Sequence, residues 1–157
     1  MQAKLKTYIL SVVIALAVGG FSAFLTRTGM NIYDYINKPA LSPPAILFPI
    51  VRTALYILMG VSSARIGLLK SSYPYEATDS LVTYAIQLIL NFFWSIIFFN
   101  MRTFLFSLIW LIVLWSCILK MIFKFSVLDR TAACLNIPYF LWVTFAGYLN
   151  FMIYILN

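Results

Sequence analysis

Arg52, Tyr56, Gln87, Asn91, Trp94, Tyr139 and Trp142 are the residues whose types could recognise another molecule, and all of them stand inside long apolar runs. Their chemistry is that of binding. A guanidinium and two amides orient polar groups, phenols donate and accept hydrogen bonds, and indole and phenol rings stack on flat surfaces. Groups for bond-making are sparse. The chain has no histidine, the commonest general base, and its 4 acids, Asp34, Glu76, Asp79 and Asp129, are dispersed over loops. No paired carboxylates, nucleophile elbow or phosphate-cradling glycine loop occurs, which argues against a conventional hydrolase or kinase. Cys117 and Cys134 lie far apart in apolar helical sequence. Without histidine the usual cysteine and histidine metal site cannot be built, and buried free thiols are expected.

Spacing gathers the candidates on three helix faces. Tyr84, Gln87, Asn91, Trp94 and Phe98 follow a 3-4-3-4 interval, with Ser95 at the edge of the same face. Tyr139, Trp142, Ala146, Leu149 and Ile153 form a second stripe with Asn150 beside it, and Arg52, Tyr56, Met59 and Ser63 form a third. Turned inward, the three faces would line a pocket with aromatic walls and a few polar groups. The same spacing also admits a plainer arrangement, in which Gln87, Asn91 and Asn150 bond one another between helices for about 0.6–2 kcal/mol each. Arg52 has three outlets. Lying about 10 Å along a helix from Ala45, it could meet a carboxylate of a bound anion, meet Asp34 folded in from a loop, or snorkel to headgroups. Trp110, Trp115 and Tyr154 read as interfacial anchors rather than site residues.

The elements that position these faces are membrane helices. Of 157 residues, 64% are hydrophobic and only 10% charged, and long apolar runs account for nearly the whole chain. We read an all-α integral membrane protein, a single five-helix transmembrane bundle over residues 1–157, with spans at 7–25, 45–69, 81–99, 104–123 and 131–156. Lys4 and Lys6 before an apolar run, with Gly20, Ser22 and Ala23 beyond it, also fit a secretory signal. The first span is kept as a helix because its run is long and Ala15, Gly19 and Ala23 place small residues on one face; Gly60 and Ala64 do the same on the second span. Between these spans, Pro39, Pro43 and Pro44 stiffen a loop that could lid a cavity or serve only as a connector. The net charge of +7 is scattered between apolar runs, as membrane flanks are, and does not indicate nucleic acid. Counting lysines and arginines on each side puts the N-terminus in the cytoplasm and the proline loop outside. The basic N-terminus and the lack of a C-terminal extension favour a bacterial plasma membrane.

Lys38-Pro39 with Pro43-Pro44, Leu55-Tyr56, Met59-Gly60, Leu90-Asn91, Trp94-Ser95, Phe98-Phe99, Pro138-Tyr139, Trp142, Phe145-Ala146 and Leu149-Asn150 together resemble the translocator protein family, whose bacterial members are the tryptophan-rich sensory proteins (TspO/MBR). The resemblance covers essentially the whole chain in order. It implies a five-helix bundle, commonly a homodimer in the lipid bilayer, with a cavity under the first loop that takes porphyrins and other hydrophobic small molecules. It further implies that Pro43 and Pro44 shape the lid while Tyr56, Asn91, Trp94, Tyr139, Trp142, Ala146 and Leu149 line the pocket. No cofactor is required; a tetrapyrrole is the expected ligand.

Where the family usually carries tryptophan, this chain has Ile32, Leu41, Arg52 and Phe106, of which Arg52 and Phe106 are carried as pocket residues. Arg52 suggests a more polar or anionic ligand. The altered aromatic walls weigh against the light-dependent porphyrin breakdown proposed for some members. No Lys or Arg follows Tyr148, so the family's sterol-recognition pattern is incomplete. The leading expectation is a ligand-binding membrane protein for sensing, sequestration or transport. The alternatives are a light- or oxidant-dependent porphyrin-degrading enzyme and a small-solute transporter.

Overall fold

A computed structural model describes residues 1–157. Its order is α1 (Gln2–Thr26), a 3-10 turn (Gly29–Asn31), α2 (Ile32–Tyr35), α3 (Leu47–Leu68), α4 (Pro74–Ser95) continuing as a π turn (Ile96–Asn100), α5 (Phe104–Leu128), α6 (Arg130–Leu135) and α7 (Ile137–Leu156). Five helical stretches are long and apolar enough to cross a bilayer, with α4 plus its π turn and α6 plus α7 each counting as one. The chain is thus an integral membrane bundle with lipid as its outer solvent. Each stretch overlaps one of the spans read from the sequence.

Several boundaries differ from expectation. α1 starts at Gln2 rather than Thr7, α5 runs to Leu128 rather than Phe123, and α4 starts at Pro74 rather than Leu81, because Pro74 opens a first helical turn and draws Glu76 and Asp79 out of the expected loop into the helix. The second span begins at Leu47 rather than Ala45, because Pro49 can occupy only a first helical turn, and Phe48 N donates to Ala45 O in a tight turn before it. The last span is not one continuous helix. Pro138 has no N–H to donate to the Cys134 carbonyl and its ring crowds that carbonyl, so the helix breaks at Asn136. The Asn136 side-chain amide covers the break by donating to Ser62 Oγ at 2.6 Å and to Ala132 O at 3.0 Å, while Ser62 itself donates to Ala132 O at 2.7 Å. Cys117 is half-buried and Cys134 exposed, both free thiols. The expected burial of Cys134 is therefore not met, because Cys134 lies on the outer side of the short α6.

Packing follows the small residues. α1 lies along α3 and touches α4; α4 packs on α5, α5 on α7, and α6 wedges between α3 and α5. A Cβ added at Gly60 would come 2.5 Å from Val12 Cα, and one at Gly19 would come 2.6 Å from the Tyr56 ring. Only glycine allows α1 and α3 that approach. No comparable seam joins α3 or α4 to α7. The space left between those three helices is the cavity.

On one end of the bundle, ion pairs tie the helix ends. Arg65 Nε donates to Asp129 Oδ2 at 2.6 Å, and Asp129 Oδ1 caps α6 by accepting from Thr131 N at 3.0 Å. Lys124 pairs with Asp79 at 2.7 Å and donates to Thr83 Oγ1 at 2.9 Å. The opposite end carries the proline loop.

Candidate ligand-binding site

The three polar faces do turn inward. On α4 and its π turn, Gln87 and Ser95 are fully buried and Asn91, Tyr84 and Phe98 nearly so. On α3, Tyr56, Met59 and Ser63 are buried, with Arg52 half-buried above them. On α7, Tyr139, Leu149, Asn150 and Ile153 are buried, and Trp142 and Ala146 half-buried.

The space they enclose has two chambers. The upper one, under the proline loop, has about 690 Å³ between its atoms including its mouth, and is walled chiefly by Phe48, Trp94, Phe98, Trp142, Leu149 and Ile153. The lower one has about 400 Å³ and is bounded by Tyr56, Met59, Asn91, Leu114, Tyr139 and Val143. Room for the centres of water-sized groups is much smaller, about 70 Å³ above and 40 Å³ below. Arg52, Trp94, Trp142 and Ala146 belong to both walls and form the waist between the chambers.

Polar groups around the two chambers satisfy one another. Asn91 Nδ2 donates to the Tyr139 hydroxyl at 2.7 Å, which donates to Gln87 Oε1 at 2.8 Å. Asn150 Oδ1 accepts from Trp94 Nε1 at 3.3 Å and Ser107 Oγ at 3.0 Å, and its amide donates to Phe104 O at 2.9 Å. Both readings of the amides thus hold in part. They bond across helices, though to Tyr139, Trp94 and Ser107 rather than to each other, and Asn91 and Asn150 still border the cavity.

Arg52 points inward. Nη1 donates to Ser95 Oγ at 3.0 Å and Nη2 to the Tyr56 hydroxyl at 3.2 Å, with the guanidinium 5.7 Å from the Tyr56 ring centroid. Asp34 is exposed on α2 and does not reach it, and the side chain does not snorkel outward. Two of its three outlets are therefore closed.

The loop is a lid in contact with the site. The Tyr33 hydroxyl donates to Pro43 O at 2.9 Å; the Tyr33 ring stands edge-on to Phe48 at 5.1 Å, and Phe48 edge-on to Trp142 at 5.9 Å. Burial pushes the Tyr33 phenol above its ordinary pKa, which keeps it a donor. Lys38 Nζ lies 4.4 Å over the other end of this stack, on the Tyr33 ring, and Asn157 Nδ2 ties the loop to α7 by donating to Asn37 O at 3.0 Å. Pro43 and Pro44 themselves line neither chamber: Pro43 acts through its carbonyl and Pro44 is exposed.

One expected pocket residue is misplaced. Phe106 is 48% exposed and packs 6.1 Å from Trp110 on the outer surface. The buried stripe of α5 runs through Ser107, Leu111, Leu114, Ile118, Met121 and Phe125, and Phe106 sits about 100° from it. Trp110 and Trp115 are also away from the chambers, donating to Leu90 O at 2.7 Å and Thr144 Oγ1 at 2.9 Å. Phe48, not singled out from the sequence, and Phe99, named there only within the Phe98-Phe99 motif and not as a pocket residue, do line the upper chamber. Phe48 lies four residues before Arg52 and so continues the Arg52–Tyr56–Met59 stripe. Phe99 had no such signal, because the π turn resets the register of the stripe ending at Phe98.

Fold and site together define a five-helix membrane protein with an aromatic, lidded cavity between its helices. The chain belongs to the TspO/MBR family, whose sequence profile matches residues 11–156. It is 37% identical to the "Tryptophan-rich protein TspO" of Chlorobaculum tepidum over 161 aligned positions, covering 100% of this chain and 99% of that one. It is 36% identical to the "Tryptophan-rich sensory protein" of Cereibacter sphaeroides, over 76% of this chain and 72% of that one. The bovine "Translocator protein" is 36% identical over 86% of this chain and 81% of its own.

Proposed function

We propose that the cavity binds a flat amphipathic molecule of the tetrapyrrole class, for sensing, sequestration or movement of that molecule at the membrane. The observation that carries this reading is the waist, where Trp94 and Trp142 stand on facing helices beside Arg52 and Ala146 and border both chambers. A planar ring entering there gains aromatic contact on its faces, and small Ala146 leaves space for its edge. The names of the relatives, sensory protein and translocator, are consistent with this reading.

The chambers as they stand leave too little room for a macrocycle, so one enters only as the lid and the side chains part. Breaking the Tyr33–Pro43 bond and the Phe48–Trp142 contact opens the upper chamber without unfolding a helix. Ligand binding is thereby coupled to lid movement. We place the protein in a bacterial plasma membrane with its N-terminus in the cytoplasm, as a homodimer.

The test is an equilibrium titration of protoporphyrin in the dark against the detergent-purified protein, with Trp142→Ala alongside. Saturable binding, weakened about tenfold in Trp142→Ala, is the expected result, since an aromatic contact contributes about 0.5–1.5 kcal/mol beyond its buried area. Absence of saturable binding in the native chain overturns the tetrapyrrole reading.

A further inference from the structure

Arg52 is the one charged side chain among the residues that wall the two chambers. The ion pairs of the chain are Arg65–Asp129 and Lys124–Asp79, and neither involves it. Of the remaining acids, Asp34 is exposed on α2 and Glu76 is exposed in the first turn of α4. A guanidinium turned into an apolar cavity without a counter-charge is costly, and its hydrogen bonds here go only to two neutral hydroxyls.

The hydroxyls have capacity to spare. Ser95 Oγ and the Tyr56 hydroxyl each accept from Arg52, and neither donates to any group of the chain. Ser95 is fully buried and Tyr56 nearly so, so water does not readily take up those protons. A guanidinium carries five N–H donors, of which two are used. Arg52 at the waist and the Tyr56 hydroxyl on the wall of the lower chamber therefore hold unspent hydrogens with no anion, while Ser95, buried behind them and lining neither chamber, holds the guanidinium in place. That is the donor set of a carboxylate site.

We infer that the waist is an anion subsite, in which Arg52, positioned by the Ser95 hydroxyl and joined by that of Tyr56, selects ligands that carry a carboxylate at the edge of a flat aromatic body. The inference deepens the binding function proposed above and rests on the same cavity. Its position gives it the specificity role: Arg52 shares the waist with Trp94 and Trp142, so ring stacking and ion pairing are open to one molecule. A neutral ring of the same shape leaves the guanidinium desolvated and unpaired and binds less well.

Two ligand pairs separate this inference from the tetrapyrrole reading. The first is protoporphyrin and its dimethyl ester; the second is pyrenebutyrate and its methyl ester, which keep a flat aromatic body without a macrocycle. Each is titrated against the native chain, Arg52→Gln, Arg52→Lys and Ser95→Ala. The acid-to-ester affinity ratio in each variant is divided by that in the native chain, so that micelle partitioning cancels. We expect the native ratio to exceed that of Arg52→Gln at least tenfold, with Arg52→Lys and Ser95→Ala between. Ester binding retained in Arg52→Gln shows that the variant is folded. If both porphyrins bind and the ratio is the same in native and Arg52→Gln, the anion subsite is overturned while the tetrapyrrole reading stands. If neither porphyrin binds but pyrenebutyrate shows the Arg52-dependent preference, the subsite stands and the tetrapyrrole reading falls. No Arg52-dependent preference in either pair, or no binding at all, overturns the subsite.

Discussion

The Asn91 amide and the Tyr139 hydroxyl meet at 2.7 Å across the lower chamber, joining α4 to the helix that follows the break at Asn136. Tyr139 then donates to Gln87 at 2.8 Å, so its hydroxyl is used both as acceptor and as donor in a fully buried position. This pair is the main polar tie between two helices that otherwise stand apart around a cavity.

Tyr139→Phe removes that tie and strands Gln87 Oε1 and one Asn91 N–H inside the bundle. The expected loss is about 1–3 kcal/mol, the cost of leaving buried polar groups unpaired. Thermal unfolding in detergent measures it. Combining Tyr139→Phe with Gln87→Leu should cost less than the sum of the two, because both remove the same bond; strict additivity would show that the tie contributes nothing.

Glycine-to-bulky changes should divide by position. Gly60→Val forces a side chain into the Val12 backbone and should separate α1 from α3, lowering the unfolding temperature and the yield of folded protein. At Gly20 an added Cβ meets nothing within 4 Å, so Gly20→Ala should be neutral or slightly stabilising. Equal losses at both sites would contradict close α1–α3 packing.

Lid stability can be read through Tyr33. Tyr33→Phe deletes the bond to the Pro43 carbonyl but keeps the ring against Phe48. A bond of net strength about 0.5–1.5 kcal/mol shifts the closed-to-open ratio roughly 2- to 10-fold. Amide exchange in the segment from Leu41 to Phe48 should accelerate by that factor, with exchange in α5 unchanged.

The Arg65–Asp129 pair predicts an acid limb. The hydrogen bond from Arg65 holds the Asp129 carboxyl below the ordinary carboxylate value. Its stabilisation is therefore fully present above the unfolded value of about 3.9 and is lost as pH falls through the lowered folded value. Asp129→Asn keeps a residue able to cap α6 but removes the charge. Unfolding followed between neutrality and pH 3 should show a smaller acid dependence in that variant than in the native chain.

Phe106→Ala should leave ligand affinity unchanged, because the side chain is on the outer surface beside Trp110. A tenfold loss in the titration used for Trp142→Ala would place Phe106 at the site after all.

What the sequence determined by itself was everything that depends on period and composition. Apolar length set the number of spans, and the 3-4 spacing of Tyr84, Gln87, Asn91, Trp94 and Phe98 put them on one face whatever that face met. The Arg52–Tyr56–Met59 and Tyr139–Trp142–Ala146 stripes were legible for the same reason. Tertiary structure alone decided what each face meets, since period specifies angles within a helix but not the rotation of one helix against another. That rotation turned Arg52 toward Ser95 and Tyr56 instead of Asp34 or headgroups, and turned Phe106 out to lipid because Ser107 faces in. Breaks in the period differ in kind: the π turn at Ile96–Asn100, marked by no residue type, brings Phe99 into the upper chamber, whereas the interruption at Asn136 follows from Pro138 in the sequence and only the course it gives α7 and Tyr139 is tertiary.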